Sequence, residues 1–242
     1  MPMDRLILHL CGDRLCYRPR YSCCSNCVWL EATMLIGVLG AGRVGQMFCE
    51  LLVERGHQVL LANSRGPASL QMLVEQLGPQ VMAVEPAALQ QTELIILVVR
   101  WQHIPTALEP LADYNGIVID VINNRFGPNP SDFYDLDGRG SSEIVAELLP
   151  QARFVKAFNH QPFADLAHLS EPPTPKALFV AGNDQAAKRV VIGLIEALGA
   201  TAMDLGNLID GGRLFSTGIG PLAGHGRVLT VAEAQAILAQ TA

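Results

Sequence analysis

Residues 35–65 read LIGVLGAGRVGQMFCELLVERGHQVLLANSR, and the change of period inside this stretch decides the fold. The apolar run Leu35 to Leu39 is too short for a helix and ends in glycine, as a buried parallel strand does. From Val44 onward the apolar residues Val44, Met47, Phe48, Leu51 and Leu52 fall at i, i+3, i+4, i+7 and i+8, one stripe along a helix. Gly56 ends that helix, and Gln58 to Ala62 supplies a second strand, which completes a βαβ unit. Gly40, Gly42 and Gly45 occupy the first turn with the G-x-G-x-x-G spacing. In this context the first glycine permits the tight turn, the second lets a pyrophosphate approach the backbone, and the third lets helix and strand pack closely. The unpaired N–H groups at the start of the helix then favour an anion.

The turn after the second strand selects the cofactor. An NAD site wants an acidic residue there, about twenty residues past the glycines, to accept hydrogen bonds from the ribose diol. This chain has Asn63-Ser64-Arg65 instead. A carboxylate would repel a 2′-phosphate, whereas a hydroxyl and a guanidinium fork bind one, so NADP(H) is expected over NAD(H).

The alternation continues outward from this unit. Ser69 is placed to cap a helix carrying Leu70, Leu73, Val74 and Leu77, Val81 to Val84 reads as a third strand, and a short helix follows Pro86. The uninterrupted run Leu94 to Val99 is the mark of a central strand covered on both faces. Its end carries Arg100, Trp101, Gln102 and His103, where open parallel sheets bind ligands. Ile117 to Val121 is a fifth strand ending in Asn123-Asn124, and Arg125 to Gly140 reads as a long loop of the kind that is often functional. Ser141 or Ser142 is expected to cap a helix over Glu143 to Leu149, and Phe154 to Ala157 is strand six, followed by Phe158-Asn159-His160. After the connector Glu171 to Pro175, one more unit comprises strand Ala177 to Ala181, helix Asp184 to Leu198 and strand Thr201 to Asp204. Thr230-x-x-Glu233 is a capping box that opens a last helix. The class is therefore α/β: a Rossmann-type, doubly wound, mostly parallel sheet over 34–160, with a short α/β C-terminal extension over 161–242 that offers an acceptor side and a possible dimer contact.

Composition narrows the function classes. With 242 residues, half of them hydrophobic, the chain can bury a sizeable core. A net charge of -6 argues against a sequence-independent nucleic-acid surface, and no apolar run approaches the length of a bilayer span. A cytoplasmic location with reduced thiols is expected. Residues 1–33 differ from the rest and hold Cys11, Cys16, Cys23, Cys24 and Cys27. A zinc site built on Cys24-x-x-Cys27 with Cys11 and Cys16 is one reading. A loose leader or a start assigned upstream of Met34 is the preferred one, and no metal is expected. Cys49 reads as a small core residue.

The chain from Met34 onward resembles the NADP oxidoreductases that use the deazaflavin coenzyme F-420. The phrases that carry the resemblance are IGVLGAGRVG, NSRGP, SSEIVAELLPQARFVKAFN and LFVAGNDQAAKRVV. The resemblance implies NADP contacts at Gly40, Ala41, Gly42, Arg43, Val44 and Gly45, at Asn63, Ser64 and Arg65, at Val99, Arg100 and Trp101, and at Asn123, Ala157, Phe158 and Asn159. It also implies a homodimer. Arg100 stands where that family usually has a proline, and Asn123-Asn124 where it tends to have Asn-Pro. Both features look more like the soluble NADPH-binding domain of the six-transmembrane metalloreductases, which reduce a flavin.

Hydride transfer to a flavin or deazaflavin needs alignment rather than a dedicated acid, which suits a chain whose only lysines are Lys156, Lys176 and Lys188. The expected acceptor is a small molecule, F-420 or FMN/FAD, with Arg100 and His160 as acceptor-pocket residues and Lys156 in a structural role. Two alternatives share the glycine and phosphate features: a nonenzymatic NADP(H)-binding redox sensor, and an NADPH-dependent reductase of a small imine or carbonyl.

Overall fold

In the computed structural model, the described residues are 33–241 apart from 128, 130, 131, 170 and 174. The strands are β1 (Leu35–Leu39), β2 (Gln58–Ala62), β3 (Val81–Ala83), β4 (Leu94–Leu97), β5 (Ile117–Asp120), β6 (Arg153–Ala157), β7 (Ala177–Gly182) and β8 (Thr201–Asp204). They form one eight-stranded sheet in the order β3-β2-β1-β4-β5-β6-β7-β8. Pairing is parallel except between β6 and β7. The segment after residue 160 thus continues the same sheet, and the α/β class is as expected. The cysteine-rich segment, with its zinc and leader readings, lies outside the described residues.

The helices are α1 (Arg43–Glu54), α2 (Gln71–Leu77), α3 (Ile104–Leu108), α4 (Ser141–Glu147), α5 (Gln185–Ala197), α6 (Asp210–Leu214) and α7 (Val231–Thr241). The apolar stripe of α1 packs as its spacing demands: Phe48, Leu51 and Leu52 are buried, with Val44 and Met47 against the same cluster. Cys49 is buried there too, and burial pushes its thiol up to about 12, which makes it an inert core group. The central strands β4 and β5 are buried at every position, because helices cover both faces. Each such Leu or Ile contributes about 1.5–3 kcal/mol relative to exposure.

Local chemistry corrects some boundaries. Ser69 caps no helix: its hydroxyl donates to the Gly66 carbonyl (2.8 Å), a 3₁₀ turn over Pro67–Leu70 intervenes, and α2 starts at Gln71. Strand four ends at Leu97 rather than Val99, although the Val98 N–H still donates to the Leu39 carbonyl (3.0 Å). The capping box at the last helix is present, with the Thr230 N–H donating to Glu233 (2.8 Å) and the Glu233 N–H to the Thr230 hydroxyl (3.3 Å). Among the described residues no helix is long and apolar enough to cross a membrane, and no group of three or more His, Cys, Asp or Glu side chains could hold a metal ion.

Candidate functional site

The strand order reverses between β1 and β4, so a crevice opens where their carboxyl ends diverge. The glycine turn forms one lip. Gly40 has φ +119° and lies so close to β4 that a Cβ would sit 2.5 Å from the Val98 carbonyl oxygen. At Gly45 a Cβ would sit 1.8 Å from the Gly40 carbonyl oxygen, which only a hydrogen can tolerate. Gly42 is different: a Cβ there meets nothing of the protein within 4 Å. The middle glycine faces open space, where its usual role needs room for a bound group. No side chain caps α1, so its first N–H groups stay available at the same spot, with exposed Arg43 beside them.

The second lip is the turn after β2. The Gly40 N–H donates to the Ala62 carbonyl (2.9 Å) and fastens the two turns together. Asn63 is nearly buried; its Oδ1 accepts from the Arg65 N–H (2.9 Å) and its Nδ2 donates to the Ser69 hydroxyl (3.0 Å). It therefore shapes the turn with its side chain, while Ser64 and Arg65 stand exposed at the rim. The third lip comes after β4: Val99 and Trp101 are half-buried against the core and Arg100 is exposed.

A buried polar network underlies the ends of β5 and β6. Asp120 and Lys156 are paired in register and fully buried. The Lys156 ammonium donates to the hydroxyls of Ser141 (3.1 Å) and Ser142 (3.0 Å), and Ser142 in turn donates to Asp120 Oδ2. Asp120 Oδ1 accepts from the Ile122 N–H (2.9 Å), which sets the turn that carries Asn123. Asn123 and Asn159 then clasp: Asn123 Nδ2 donates to the Asn159 carbonyl (2.8 Å) and Asn159 Nδ2 to Asn123 Oδ1 (3.1 Å) and to the Phe215 carbonyl (3.1 Å). Burial lowers the Lys156 pKa, and the Asp120 charge opposes that shift.

Beyond β6 the backbone is strained. Phe158 has φ +61°, and its ring packs edge-on against Phe48 of α1 (5.4 Å). His160 is enclosed between Phe179 (4.4 Å) and Phe215 (5.6 Å), and neither ring nitrogen makes a well-formed hydrogen bond. Burial, then the nearby Lys156 charge, pushes its pKa down to about 3 against a weaker pull from the Ala177 backbone, so the ring is neutral.

Residues 35–124 match the family model described as NADP oxidoreductase, coenzyme F420-dependent. A solved structure of a hypothetical protein from Sinorhizobium meliloti is 36% identical, covers 82% of this chain and 96% of its own, and superposes with TM-score 0.73. A candidate F420-dependent NADP-reductase from an Arthrobacter species is 26% identical over 72% of this chain and 86% of its own, with TM-score 0.64.

Residues 35–124 of the chain are thus similar to the coenzyme F420-dependent NADP oxidoreductases.

The chain is also 29% identical over 178 residues, 72% of its length, to the rat metalloreductase STEAP3, and spans about a third (34%) of that protein's length. The proteins that this stretch resembles are described as oxidoreductases that use NADP.

The family positions expected from sequence fall into two groups. Gly40, Ala41, Gly42, Arg43, Val44 and Gly45, with Ser64 and Arg65, lie on adjoining turns at the ends of β1 and β2, and Arg100 stands exposed at the end of the adjoining strand. Ala157, Phe158, Asn159 and His160 are buried, so their side chains form the floor beneath that end of the sheet. His160 has a packing place between two phenylalanines where an acceptor-pocket wall was expected. Ser141 and Ser142 are not caps either: Gly140 begins α4, its N–H donating to Glu143 (2.7 Å), and both hydroxyls turn instead to Lys156. Sequence reading missed Asp120 and the serines as partners of Lys156. The available signal was a charged residue near the end of each of two apolar strands, IVID and RFVKA.

Proposed function

We propose that the chain is an NADPH-dependent reductase that passes hydride to the flat ring of a deazaflavin or flavin. The observation that carries this reading is the pairing, at one end of the sheet, of an anion-ready glycine turn open at Gly42 with Ser64 and Arg65 on the neighbouring turn. We assign the pyrophosphate to the turn Gly40 to Gly45 and the 2′-phosphate to Ser64 and Arg65. The nicotinamide riboside is assigned to the rim of Val99, Arg100, Trp101 and Asn123, over the floor of Ala157 to Asn159.

The bound nicotinamide supplies two electrons as hydride, and the chain supplies alignment and exclusion of water. The chain's own acid and base groups support this division. Lys156 is wholly enclosed and committed to Ser141 and Ser142, and His160 is neutral between aromatic rings. An imine or carbonyl reduction that needs a proton from the protein finds neither group at a surface. The flavin option also accords with the similarity to a metalloreductase.

Equilibrium binding tests the first half of the reading: NADPH is expected to bind about a hundredfold more tightly than NADH, and Arg65→Ala to shrink that ratio about tenfold or more. Equal affinities overturn it. Stopped-flow oxidation of bound NADPH by 5-deazariboflavin, FMN and FAD tests the second half; no turnover with any of them overturns the reductase.

A further inference from the structure

The loop between β5 and α4 is not absorbed by the cofactor crevice, and it carries an exposed aromatic pair. Phe126 is 57% exposed and Tyr134 39% exposed, yet their rings meet edge to face, with centroids 5.2 Å apart and planes at 71°. Solvent-facing aromatics of this size ordinarily scatter singly. Here they are held together by contacts of the flanking residues. Arg125 and Phe133 form an antiparallel bridge, the Arg125 guanidinium lies 5.2 Å over the Phe133 ring, and the Phe126 N–H donates to the Asp132 carbonyl (3.0 Å). Asp132 also accepts, through its side chain, from the Asn129 N–H (2.8 Å).

The loop is anchored at the end of the sheet where the nicotinamide is assigned. Asn124 is tied to Tyr134 in both directions: its Nδ2 donates to the Tyr134 carbonyl (2.7 Å), and the Tyr134 N–H donates to the Asn124 carbonyl (2.9 Å). The neighbouring Asn123 is clasped to Asn159. On the other side Phe133 comes so near Gly218, at φ +86°, that a Cβ there would sit 3.1 Å from the ring. The next residue, Ile219, is 56% exposed, and Thr217 reaches the Asn159 carbonyl (3.5 Å). Phe126, Tyr134 and Ile219, three large apolar side chains open to water, therefore belong to two segments that meet beside the ends of β5 and β6. Strands in a sheet are about 4.8 Å apart, so β5 ends about 10 Å from the glycine turn after β1. That is the direction in which a dinucleotide extends from its pyrophosphate across the switch point.

We propose that Phe126 and Tyr134, with Ile219 at the side, form the platform on which the planar ring system of the hydride acceptor stacks, its other face turned to the nicotinamide. The inference rests on the reductase reading above and names the acceptor's chemical class as a flat, conjugated, multi-ring heterocycle. Such a ring gains from offset or edge-on contact with aromatic side chains, and a pair already locked near right angles offers one face and one edge without losing further freedom. A small imine or an aliphatic carbonyl has no flat surface to use this pair. The acceptor ring takes the hydride as two electrons; neither aromatic side chain exchanges a proton or an electron.

Binding without turnover separates this inference from the function beneath it. The fluorescence of FMN and of 5-deazariboflavin is titrated against the NADP⁺-loaded protein, in which no hydride is available. Wild type is expected to quench the ring's fluorescence. Phe126→Ala with Tyr134→Ala should raise the acceptor Kd and KM about tenfold, with the NADPH Kd unchanged within twofold and the melting temperature kept. Phe126→Trp with Tyr134→Phe should restore quenching. Quenching that persists unchanged in the double alanine variant overturns the platform, as does wild type that never quenches while NADPH oxidation proceeds. Absence of both quenching and oxidation overturns the platform and the reductase together, whereas quenching without oxidation overturns the reductase alone.

Discussion

Two turns at the carboxyl end of the sheet contrast sharply. The turn after β1 is made of glycines, lies at a helix start and leaves Gly42 facing open space. The turn after β6 is made of Phe158, Asn159, His160 and Gln161, is buried throughout, and forces a phenylalanine to φ +61°. In the first, crowding is relieved by removing side chains, so the backbone itself lies open. In the second, bulky side chains fill the space, and polar atoms of Asn159, His160 and Gln161 are left without well-formed hydrogen bonds. A left-handed phenylalanine costs about 1–3 kcal/mol and persists only where packing over-determines it, as Phe48 does here. One turn leaves open space beside its backbone, and the other is packed solid.

Substitution inside the glycine turn separates crowding by protein from crowding by ligand, and it gives the largest expected effect. Gly45→Ala drives a methyl group into the Gly40 carbonyl, so α1 must shift; urea denaturation should show a loss of about 4 kcal/mol or more. Gly42→Ala should leave the denaturation midpoint in place and weaken NADPH binding at least tenfold, because only the ligand meets that methyl. Equal stability losses in both variants would erase the distinction between the two glycines.

The floor is tested next through its charge pair. Lys156→Met leaves the Asp120 carboxylate buried without its countercharge, at a cost of about 3 kcal/mol. Adding Asp120→Asn should recover part of that loss. A double variant no more stable than the sum of the single losses would show that the Ser142 bridge carries no coupling.

The smallest effect at any one step of the experiment is a pH slope. The His160 pKa is lowered in the folded chain to about 3 from an ordinary 6.5, so the unfolded chain binds the proton more readily. The stability contributed by the neutral ring is complete above pH 6.5 and is lost as pH falls towards about 3, by about 1.4 kcal/mol per pH unit at most. His57, also lowered by burial, adds a slope of the same sign. Comparing acid denaturation of wild type and His160→Phe isolates the His160 share. Identical slopes would show that His160 is not enclosed in solution.

Most of the parallel order and the glycine turn could be read from residues alone, because period and spacing are local properties. Leu35 to Ala62 shows this best: each strand, the helix and the turn answer to residues within a few positions of one another. The capping box at Thr230 is equally local. The two serines that open α4 were misjudged because a hydroxyl at a helix start can cap or face inward. The deciding group is Lys156, fourteen residues from Ser142 and on another element. His160 was misjudged for the same reason, since nothing near it in sequence announces Phe179 and Phe215.

By itself, then, the sequence determined a βαβ unit with a glycine-rich turn, a basic and hydroxylated turn after its second strand, and the α/β class, all of which depend on short-range geometry. Only the tertiary structure decided that β7 turns antiparallel to extend a single sheet, that Asp120 and Lys156 meet through Ser142, and that Phe126 and Tyr134 stand together beside the ends of β5 and β6. Those outcomes depend on which distant segments compete for the same buried space, and burial is settled by the whole chain at once.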